Sequence, residues 1–339
     1  MNEFDYHSPT TLREATSLLD STDVNNTRVR VMAGGQDLLT EMKEHLVEPI
    51  SIVNLKGIPG LDTIAYDGKK GLTIGALVKV ADVAEFQPAQ EYFPALAMAA
   101  GSVGSPQIRH IGTMGGNLCQ KPRCWYYRNE NIVCLKKGGT ICYAAAGENK
   151  YNAILGGGPS YIVHPSDTAT ALMALNASVT IAGPKWKRTI PIEEFFVLPK
   201  DNVRRENILK PDEILVSITV PHPPLGTGRS VYLKFREKSS MDWAMAACAV
   251  SLSIKGGKIT AARIVLGGVA PIPWRVPNAE KLLIGKAPDE ATLHAVADAA
   301  LAGAVKLSQN GYKVPLTKTL VRRAILVATA NPFKMIEAV

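Results

Sequence analysis

Apolar residues recur along this chain in short runs, some with the spacing of a helix and some with that of a strand. Residues 10–22, "TTLREATSLLDST", place apolar residues at helical spacing behind a Ser/Thr/Pro start, and "VRVMAGGQDLLTEMK" predicts a strand, a glycine turn and a helix. The β-branched runs "SIVNL" and "GLTIGALV" are typical of buried strands, whereas "DVAEF" and "YFPALAMAAGSV" predict helices. The first part of the chain is therefore expected to mix strands and helices.

Residues 118–150 interrupt this pattern with little amphipathic period, and we expect a long functional loop there. Regular elements resume in "SYIVHPSDTATALMALNASVTIA", which predicts a strand, a turn, a helix and a second strand. The segment "PHPPLGTG" (221–228) is typical of a linker, and the predicted strands "SVYLKFR", "AMAACAVSLSI" and "ITAARIVLGGVA" follow it. Two or three helices come next, the last of them "LTKTLVRRAILVATA". We therefore predict a first module at 1–225, a separate α+β domain at 226–330 and a loose tail at 331–339.

The bulk composition indicates a soluble globular protein. The 339 residues are 46% hydrophobic and 20% charged, no run is long and apolar enough to span a bilayer, and the N-terminus has no basic start before an apolar run. We therefore expect a cytoplasmic protein.

The net charge of +8 comes from scattered basic residues, and aromatic residues make up only 6% of the chain. This pattern favours a solvated basic surface, or a face for an acidic protein partner, over nucleic-acid binding.

Four of the five cysteines lie within 24 residues: Cys119, Cys124, Cys134 and Cys142. In a reducing compartment, clustered thiols indicate a metal centre before disulfides. Their C-x4-C-x9-C-x7-C spacing lacks the C-x2-C pairs that zinc sites favour, while four thiolates in an irregular loop suit a [4Fe–4S] cluster. The sequence therefore predicts an iron–sulfur cluster on these four residues, with zinc or no metal as alternatives. Cys248, in the apolar run "MAACAVSL", is predicted to be a buried core residue.

Two glycine-rich turns are candidate anion-binding segments. "AGGQDLL" places Gly34 and Gly35 between a predicted strand and helix, where residues without a Cβ atom permit positive φ and close approach of a ligand, and where the helix start offers unpaired N–H groups. It is not a G-x-G-x-x-G fingerprint, so no Rossmann site is implied. "GTMGGN" (112–117) has the same character and adds Thr113 and Asn117 as polar donors. If the two turns converge, they would hold a diphosphate from both sides.

A set of motifs in a fixed order carries a family resemblance from about residue 3 to 330. The motifs are "AGGQDL", "GALV", "SPQIRHIGTMGGNL", "HPSDTATALMAL", "YLKFR" and "LGGVAPIPWR". The ordered set resembles the FAD-binding medium subunits of the molybdenum hydroxylases, the group of xanthine dehydrogenase, aldehyde oxidoreductase and CO dehydrogenase. The resemblance implies an α+β protein with a vanillyl-alcohol-oxidase-type (PCMH-like) FAD-binding fold of two α+β subdomains, at about 1–55 and 56–225. A C-terminal α+β domain of the CO dehydrogenase flavoprotein type is expected to close over the flavin.

The same resemblance implies which residues contact FAD. One side of its diphosphate is expected to be lined by Ala33, Gly34, Gly35, Gln36, Asp37 and Leu38, and the other side by Thr113, Met114, Gly115, Gly116 and Asn117. Asp167 in "HPSD" matches an FAD-contacting acid of the family, and it also stands where a helix N-cap is predicted. Lys234 in "YLKF" matches a flavin-proximal lysine; without the family match it would be taken for a surface strand residue.

The cysteine-bearing insertion resembles that of iron–sulfur-containing aldehyde oxidoreductase medium subunits and of the β subunit of 4-hydroxybenzoyl-CoA reductase. Relatives that bind this cluster can take their last cysteine from just before "HPSD" or a few residues upstream, where this chain has "YNAILGGGPSYIVHPSD" and no cysteine. Cys124, Cys134 and Cys142 are therefore the firmer ligands, and Cys119 is the one nearby thiol left to complete four. If Cys119 does not reach, the cluster has three thiolates and a substitute ligand, or is labile, or is absent.

The resemblance also implies an electron-transfer role within a complex. A large subunit with a molybdenum cofactor and a small subunit with [2Fe–2S] clusters would pass electrons to FAD in this chain, and FAD would pass them to an external acceptor, with no catalytic nucleophile or base required. Such a complex is compatible with a dimer of heterotrimers, and export on a partner's signal peptide stays open. The alternatives are the β subunit of a 4-hydroxybenzoyl-CoA-reductase-like enzyme with electrons running towards molybdenum, a stand-alone flavin oxidase, and a zinc-stabilised non-redox binding module.

Overall fold

Three β-sheets with helices packed against them form the architecture of this chain. The computed structural model describes residues 1–23, 27–223, 229–239 and 241–330. The predicted module boundary at 225 and the predicted tail at 331–339 lie outside these ranges. Among the described residues, no helix combines the length and the apolar character that crossing a bilayer requires.

The N-terminal layer is a small parallel sheet. Its strands run in the order β1–β3–β2, with β1 at Asp5–His7, β2 at Val29–Met32 and β3 at Ser51–Asn54; the connecting helices are α1 (Leu12–Ser17) and α2 (Leu38–Lys43). The central strand buries Ile52 and Val53 completely, in agreement with the predicted buried strand. Helix α1 is shorter than predicted, because the chain turns at Asp20, whose carboxylate accepts bonds from the backbone and hydroxyl of Thr22.

The middle layer is a five-stranded antiparallel sheet in the order β4–β5–β8–β6–β7. Its strands are β4 (Ile64–Asp67), β5 (Gly71–Gly75), β6 (Ser178–Ala182), β7 (Lys187–Pro191) and β8 (Ile214–Val220). In β5 the side chains of Leu72 and Ile74 are buried and that of Thr73 is exposed, as expected for a strand with one face on the core. The sequence pattern predicted no strand at β8, although this strand occupies the centre of the sheet.

A group of short helices surrounds this middle sheet. They are α3 (Val80–Glu85), α4 (Gln87–Tyr92), α5 (Pro94–Gly101), α6 (Pro106–Ile111), α7 (Met114–Cys119), α8 (Trp125–Arg128) and α9 (Asp167–Ala174). Every residue of α9 is buried. The predicted strand at "SYIV" is wrong: residues 160–163 belong to no sheet, and the neighbouring bonds are isolated ones, such as those from Ala153 N–H to Tyr161 O and from His164 N–H to Ala270 O.

The C-terminal layer is a four-stranded antiparallel sheet in the order β12–β11–β10–β9, covered by three helices. Its elements are β9 (Ser230–Phe235), β10 (Ala246–Lys255), β11 (Lys258–Gly267), β12 (Trp274–Arg275), α10 (Pro277–Lys281), α11 (Glu290–Ala300) and α12 (Lys313–Ala330). Successive residues of β10 alternate between two cores. Ala247 and Ala249 pack with the core of the middle layer, whereas Cys248 and Val250 pack with the core under α10–α12. The continuous apolar run predicted here is therefore a strand buried on both faces, and Cys248 is buried as predicted.

The segment 152–164 crosses from the middle layer to the C-terminal layer. Ile154 and Leu155 donate their N–H groups to Val269 O at 2.9 Å and 3.1 Å. Their side chains are buried in the core under α10–α12. Asn310 Nδ2 completes the attachment by donating to the carbonyls of residues 152 and 153. The segment that follows the middle layer therefore contributes residues to the core of the C-terminal layer.

Candidate functional site

The two glycine-rich segments meet at one cavity. We call residues 33–38 the first glycine segment and residues 113–117 the second glycine segment. A Cβ atom on Gly34 would lie 2.1 Å from Ile111 O, so the chain before the second segment packs directly on the first. Gly35 has a φ of +79°, the left-handed region that favours glycine. Both segments line a cavity of about 290 Å³, the first cavity, and their predicted convergence is confirmed.

The first glycine segment offers a row of backbone donors to this cavity. The N–H groups of Gly34 to Leu38 have no acceptor among the described residues. The first bond of α2 runs from Leu39 N–H to Gly35 O at 3.0 Å, so the row ends where the helix begins. Consecutive unpaired N–H groups at the start of a helix suit an anionic group such as a diphosphate.

The second glycine segment differs from its prediction because it is helical. Thr113 caps α7 by accepting a bond from Gly116 N–H at 3.2 Å. Met114 N–H donates to Val78 O at 2.9 Å and Gly115 N–H to Ala76 O at 2.8 Å, so these backbone donors are already paired. The Met114 side chain is fully buried in the core and does not line the first cavity, unlike its four neighbours in the segment.

The side chain of Asn117 supplies a polar group on the second segment. Its Oδ1 accepts bonds from Ser166 Oγ at 2.5 Å and Thr168 Oγ1 at 2.6 Å, which leaves the amide N–H groups for a ligand. Ser166 is also the N-cap of α9, since its Oγ accepts from Ala169 N–H, and Asp167 is the first helical residue rather than the predicted cap. Sequence reasoning missed both hydroxyls; the run of polar residues at the start of α9 was the available signal.

The carboxylate of Asp37 is held by the cysteine loop, as we call residues 118–150. Arg123 Nη1 lies 2.9 Å from Asp37 Oδ1, Arg128 Nη2 lies 2.7 Å from the same oxygen, and Lys121 N–H donates to Oδ2 at 2.7 Å. Asp37 lines the first cavity as predicted, but its charge is compensated by two guanidinium groups. The carboxylate of Asp37 therefore anchors the cysteine loop beside the backbone N–H groups of the first glycine segment, and its compensated charge does not repel an anion there.

A second anchor of the cysteine loop is the buried carboxylate of Glu206. Lys121 Nζ lies 2.5 Å from its Oε2, and Lys136 pairs with its Oε1 while also donating to Val203 O at 3.0 Å. Burial alone would raise the pKa of Glu206, but the two ammonium groups lower it to about 2. The carboxylate of Glu206 therefore stays ionised at neutral pH, and its two ion pairs tie two points of the loop to the wall of the first cavity.

A second cavity of about 280 Å³ adjoins the first, and Arg123 and Trp243 line both. Asp167 lies on the wall of the second cavity, where Lys234 Nζ approaches its Oδ2 at 2.8 Å and Tyr232 donates to its Oδ1 at 2.5 Å. Burial and the nearby carboxylate raise the pKa of Tyr232 well above its ordinary value, so the phenol keeps its proton. Lys234 is buried, also donates to a backbone carbonyl, and does not itself line either cavity.

The predicted metal ligands are divided between different surroundings. Cys119 lines the first cavity, where burial raises the pKa of its thiol to about 12 against the opposing charge of Lys121. Cys124 lines the second cavity, and burial raises its thiol pKa although backbone N–H groups point at its sulfur. Within the described ranges, no group of three or more His, Cys, Asp or Glu side chains is arranged to hold a metal ion. The predicted set of four cysteines is thus not gathered around one ion.

Comparison with known proteins places this geometry in a family. Residues 2–223 match the family described as the FAD binding domain in molybdopterin dehydrogenase, and residues 230–328 match the CO dehydrogenase flavoprotein C-terminal domain. The chain belongs to this family of FAD-binding subunits. The match confirms the family and the α+β fold predicted from the ordered motifs, and it makes the chain an oxidoreductase subunit.

Relatives of this FAD-binding subunit cover nearly its whole length. It is 33% identical over 305 residues to the aldehyde oxidoreductase FAD-binding subunit PaoB of Escherichia coli (strain K12), across 89% of this chain and 92% of that one. It is 30% identical to the carbon monoxide dehydrogenase medium chain of Hydrogenophaga pseudoflava, across 97% and 98%. A solved structure of carbon monoxide dehydrogenase from the same organism is 28% identical and matches with a TM-score of 0.75, over 97% of this chain and 98% of that chain.

The residues of this FAD-binding subunit fit the cofactor of its family. The unpaired N–H row provides donors for a diphosphate, and the close backbone approach at Gly34 leaves no room for side chains between the two segments. The first and second cavities share Arg123 and Trp243 in their walls, so a dinucleotide could be held by residues of both. The fit for a four-thiolate cluster is less complete, since Cys119 lines the first cavity and Cys124 the second.

Proposed function

We propose that this chain is the FAD-binding electron-transfer subunit of a multi-subunit molybdenum hydroxylase. The row of unpaired N–H groups on the first glycine segment carries the proposal, because it lines the same cavity as Thr113 and Asn117. In this proposal the FAD diphosphate lies between the two glycine segments. The flavin end extends past Arg123 and Trp243 into the second cavity.

The chain's own residues bind and orient the cofactor. Bound FAD supplies electron transfer in steps of one or two electrons. The buried pair of Asp167 and Lys234 fixes the wall of the second cavity, and Tyr232 keeps the carboxylate oriented. His164 lies on the same wall, where burial lowers its pKa to about 4, so it is neutral at pH 7 and adds no charge there. No nucleophile or general base is assigned in this chain.

The proposed partners follow from the names of the relatives. These are called medium chains or FAD-binding subunits, and the matched carbon monoxide dehydrogenase structure is described as one that lacks the Mo-pyranopterin moiety of its molybdenum cofactor. We infer that a large molybdenum-cofactor subunit and a small [2Fe–2S] subunit deliver electrons to this chain, which passes them to an external acceptor. A cytoplasmic dimer of such heterotrimers stays our prediction for the assembly.

Anaerobic purification with the partner subunits tests this function directly. We expect one FAD per chain, and flavin that is reduced by the substrate of the complex and reoxidised by an added acceptor. Turnover by the isolated chain would instead support a stand-alone oxidase, and electron flow towards molybdenum would support the reductase alternative. A complex whose chain carries no flavin absorption band, even after incubation with FAD, would overturn the proposal.

We extend the proposal to an iron–sulfur centre on the cysteine loop that uses Cys124, Cys134 and Cys142 without Cys119. Cys124 and Cys142 interact electrostatically, and Lys137 interacts with both Cys134 and Cys124, whereas the charged neighbours of Cys119 are Lys121 and Glu206. No electron-transfer step is assigned to this centre, because the described residues do not show its ligands assembled.

Iron and acid-labile sulfide analysis of two variants tests the ligand set. We expect Cys134→Ser to lose the iron that exceeds the content of the partner's [2Fe–2S] clusters, and Cys119→Ser to retain it. Equal loss from both variants would restore Cys119 as the fourth ligand. A wild-type complex with no iron beyond that of the [2Fe–2S] subunit would remove the centre from the proposal and leave the FAD function untouched.

A further inference from the structure

Arg123 lies where three parts of the molecule meet. It belongs to the cysteine loop, and its guanidinium pairs with Asp37 of the first glycine segment at 2.9 Å. The same guanidinium lies over the ring of Trp243, 4.7 Å from the ring centroid, in the segment between β9 and β10 of the C-terminal layer. Both side chains line both cavities, so the pair stands at the junction between them.

Arg128 provides an internal comparison for Arg123. It binds the same oxygen of Asp37, at 2.7 Å, and comes from the same loop. It lines neither the first nor the second cavity, but a separate, more open cavity of about 460 Å³, and its guanidinium lies over the ring of Tyr127, its own neighbour in the chain. Two arginines therefore share one carboxylate, but Arg123 is the one that reaches the junction.

The guanidinium of Arg123 is also incompletely satisfied. Its Nη groups bind Asp37 and the side-chain oxygen of Gln120, the latter at 3.3 Å, while its Nε–H is buried and has no partner among the described residues. A buried donor without an acceptor is costly, so a donor of this kind beside a ligand cavity indicates a group that the ligand completes.

We propose that Arg123 is a positioning residue for the flavin, which closes the junction together with Trp243 and supplies a cation and an N–H donor to the bound dinucleotide. This inference rests on the proposed FAD site. A cation at that place favours the reduced cofactor over the oxidised one, because reduction adds negative charge. The indole holds the guanidinium in place, and because Trp243 is 43% exposed, a contact of this kind changes an affinity about threefold.

The test compares five variants of the full complex, stripped of flavin and titrated with FAD. Arg123→Gln and Trp243→Ala are each expected to raise the Kd for FAD about threefold, and the double variant to lose little more, because the two side chains act as a pair. Arg123→Gln is also expected to lower the midpoint potential of the bound flavin, and Arg123→Lys to recover most of that potential. Arg128→Gln is the matched comparison: it removes an ion pair to the same carboxylate, but Arg128 lines neither the first nor the second cavity, so this variant is expected to change Kd and potential less than Arg123→Gln does.

The outcomes separate this inference from the function on which it rests. Failure of the wild-type complex to bind FAD would overturn both. If the wild type binds FAD but Arg123→Gln behaves like Arg128→Gln in Kd and in potential, the role of Arg123 is overturned and the FAD site stands. If Arg123→Gln does not fold, Arg123→Lys and Trp243→Ala decide: unchanged Kd and unchanged potential in both would overturn the proposal.

Discussion

The two glycine segments share a sequence pattern and use it in opposite ways. In the first segment Gly35 takes a positive φ, and the backbone N–H groups of residues 34–38 have no acceptor in the part of the chain that the structure describes. In the second segment the glycines lie in α7, whose first N–H groups bind the carbonyls of residues 76 and 78. A Cβ atom on Gly115 would lie 2.9 Å from the Cβ and the carbonyl oxygen of Ala76, so this glycine serves packing within the protein.

A Gly-Gly pair in a sequence therefore predicts close approach but not its purpose. In both segments, the absence of side chains indicates that another part of the backbone packs very close to the glycines. Whether a ligand or the protein itself meets the exposed donors depends on the bonds that the neighbouring chain has already made. In this molecule the first segment is available to bind an anion, and the second segment forms the opposite side of the same cavity.

The largest effect is expected from removing the second anchor of the cysteine loop. Glu206→Gln would leave the buried ammonium group of Lys136 and the partly buried one of Lys121 without their carboxylate, and we expect the free energy of unfolding to fall by about 3–5 kcal/mol in urea titrations. The exposed Glu85, replaced by Gln, is the control and should change stability by less than about 0.5 kcal/mol. Equal stability of the two variants would show that the cysteine loop does not depend on this cluster.

The next effect concerns the close approach of the first segment. Gly34→Ala places a methyl group 2.1 Å from Ile111 O, which forces the two segments apart. An overpacking cost of up to about 3 kcal/mol converts to a rise of about 100-fold in the Kd for FAD, measured by fluorescence titration. Gly68→Ala, at a site with open space around it, should bind FAD like the wild type. Normal affinity in Gly34→Ala would refute the role assigned to this contact.

A smaller effect distinguishes the second segment from the first. Gly115→Ala directs its methyl group at Ala76, so we expect a loss of about 1–2 kcal/mol of stability with less than about a threefold change in the Kd for FAD. The double variant Gly115→Ala/Ala76→Gly removes one of the clashing atoms and should regain part of the stability. A variant that keeps its stability and loses FAD would mean that the second segment, too, binds through its backbone.

The smallest effect is a dependence on acid at the second anchor of the cysteine loop. Because the pKa of Glu206 is about 2 in the folded chain, against an ordinary value of 4.5, its stabilising charge is complete above pH 4.5 and is lost as the pH falls towards 2. The stability difference between wild type and Glu206→Gln should therefore narrow as the pH is lowered from about 5 to about 3. A difference that stays constant over this range would place the stabilisation in packing rather than in charge.

The sequence alone was sufficient to predict that the two segments converge, because the ordered motifs indicated a family whose site needs both. It was not sufficient to predict the hydrogen bonds that the backbone of each segment makes. The helical start at Thr113 depends on acceptors at Ala76 and Val78, which no local pattern around "GTMGGN" reveals. The roles of Asp37 and Glu206 were hidden for the same reason, since their partners lie more than 60 residues away in the chain.

The strand predictions failed where a segment is held by single contacts instead of a ladder. "SYIV" has the composition of a strand, yet its neighbours bond to residues 269 and 270 one at a time. The run "ILVSITV" of β8, by contrast, forms the centre of a sheet because partners from both sides, β5 and β6, happen to reach it. The composition of a segment sets its tendency to adopt an extended backbone. Whether the segment joins a sheet depends on whether other strands, distant in the sequence, pair with it.

The shared core around segment 152–164 means that the two family-matched regions are interlocked in three dimensions. Ile154 and Leu155 are contributed by the first region to the interior of the second, while Ala247 and Ala249 make the reverse contribution. A protease cut between the regions would consequently yield two polypeptides that remain a single particle until denaturant separates them. Neither half, expressed by itself, would have a complete hydrophobic core. A split version of this flavoprotein would therefore require co-expression of the two halves.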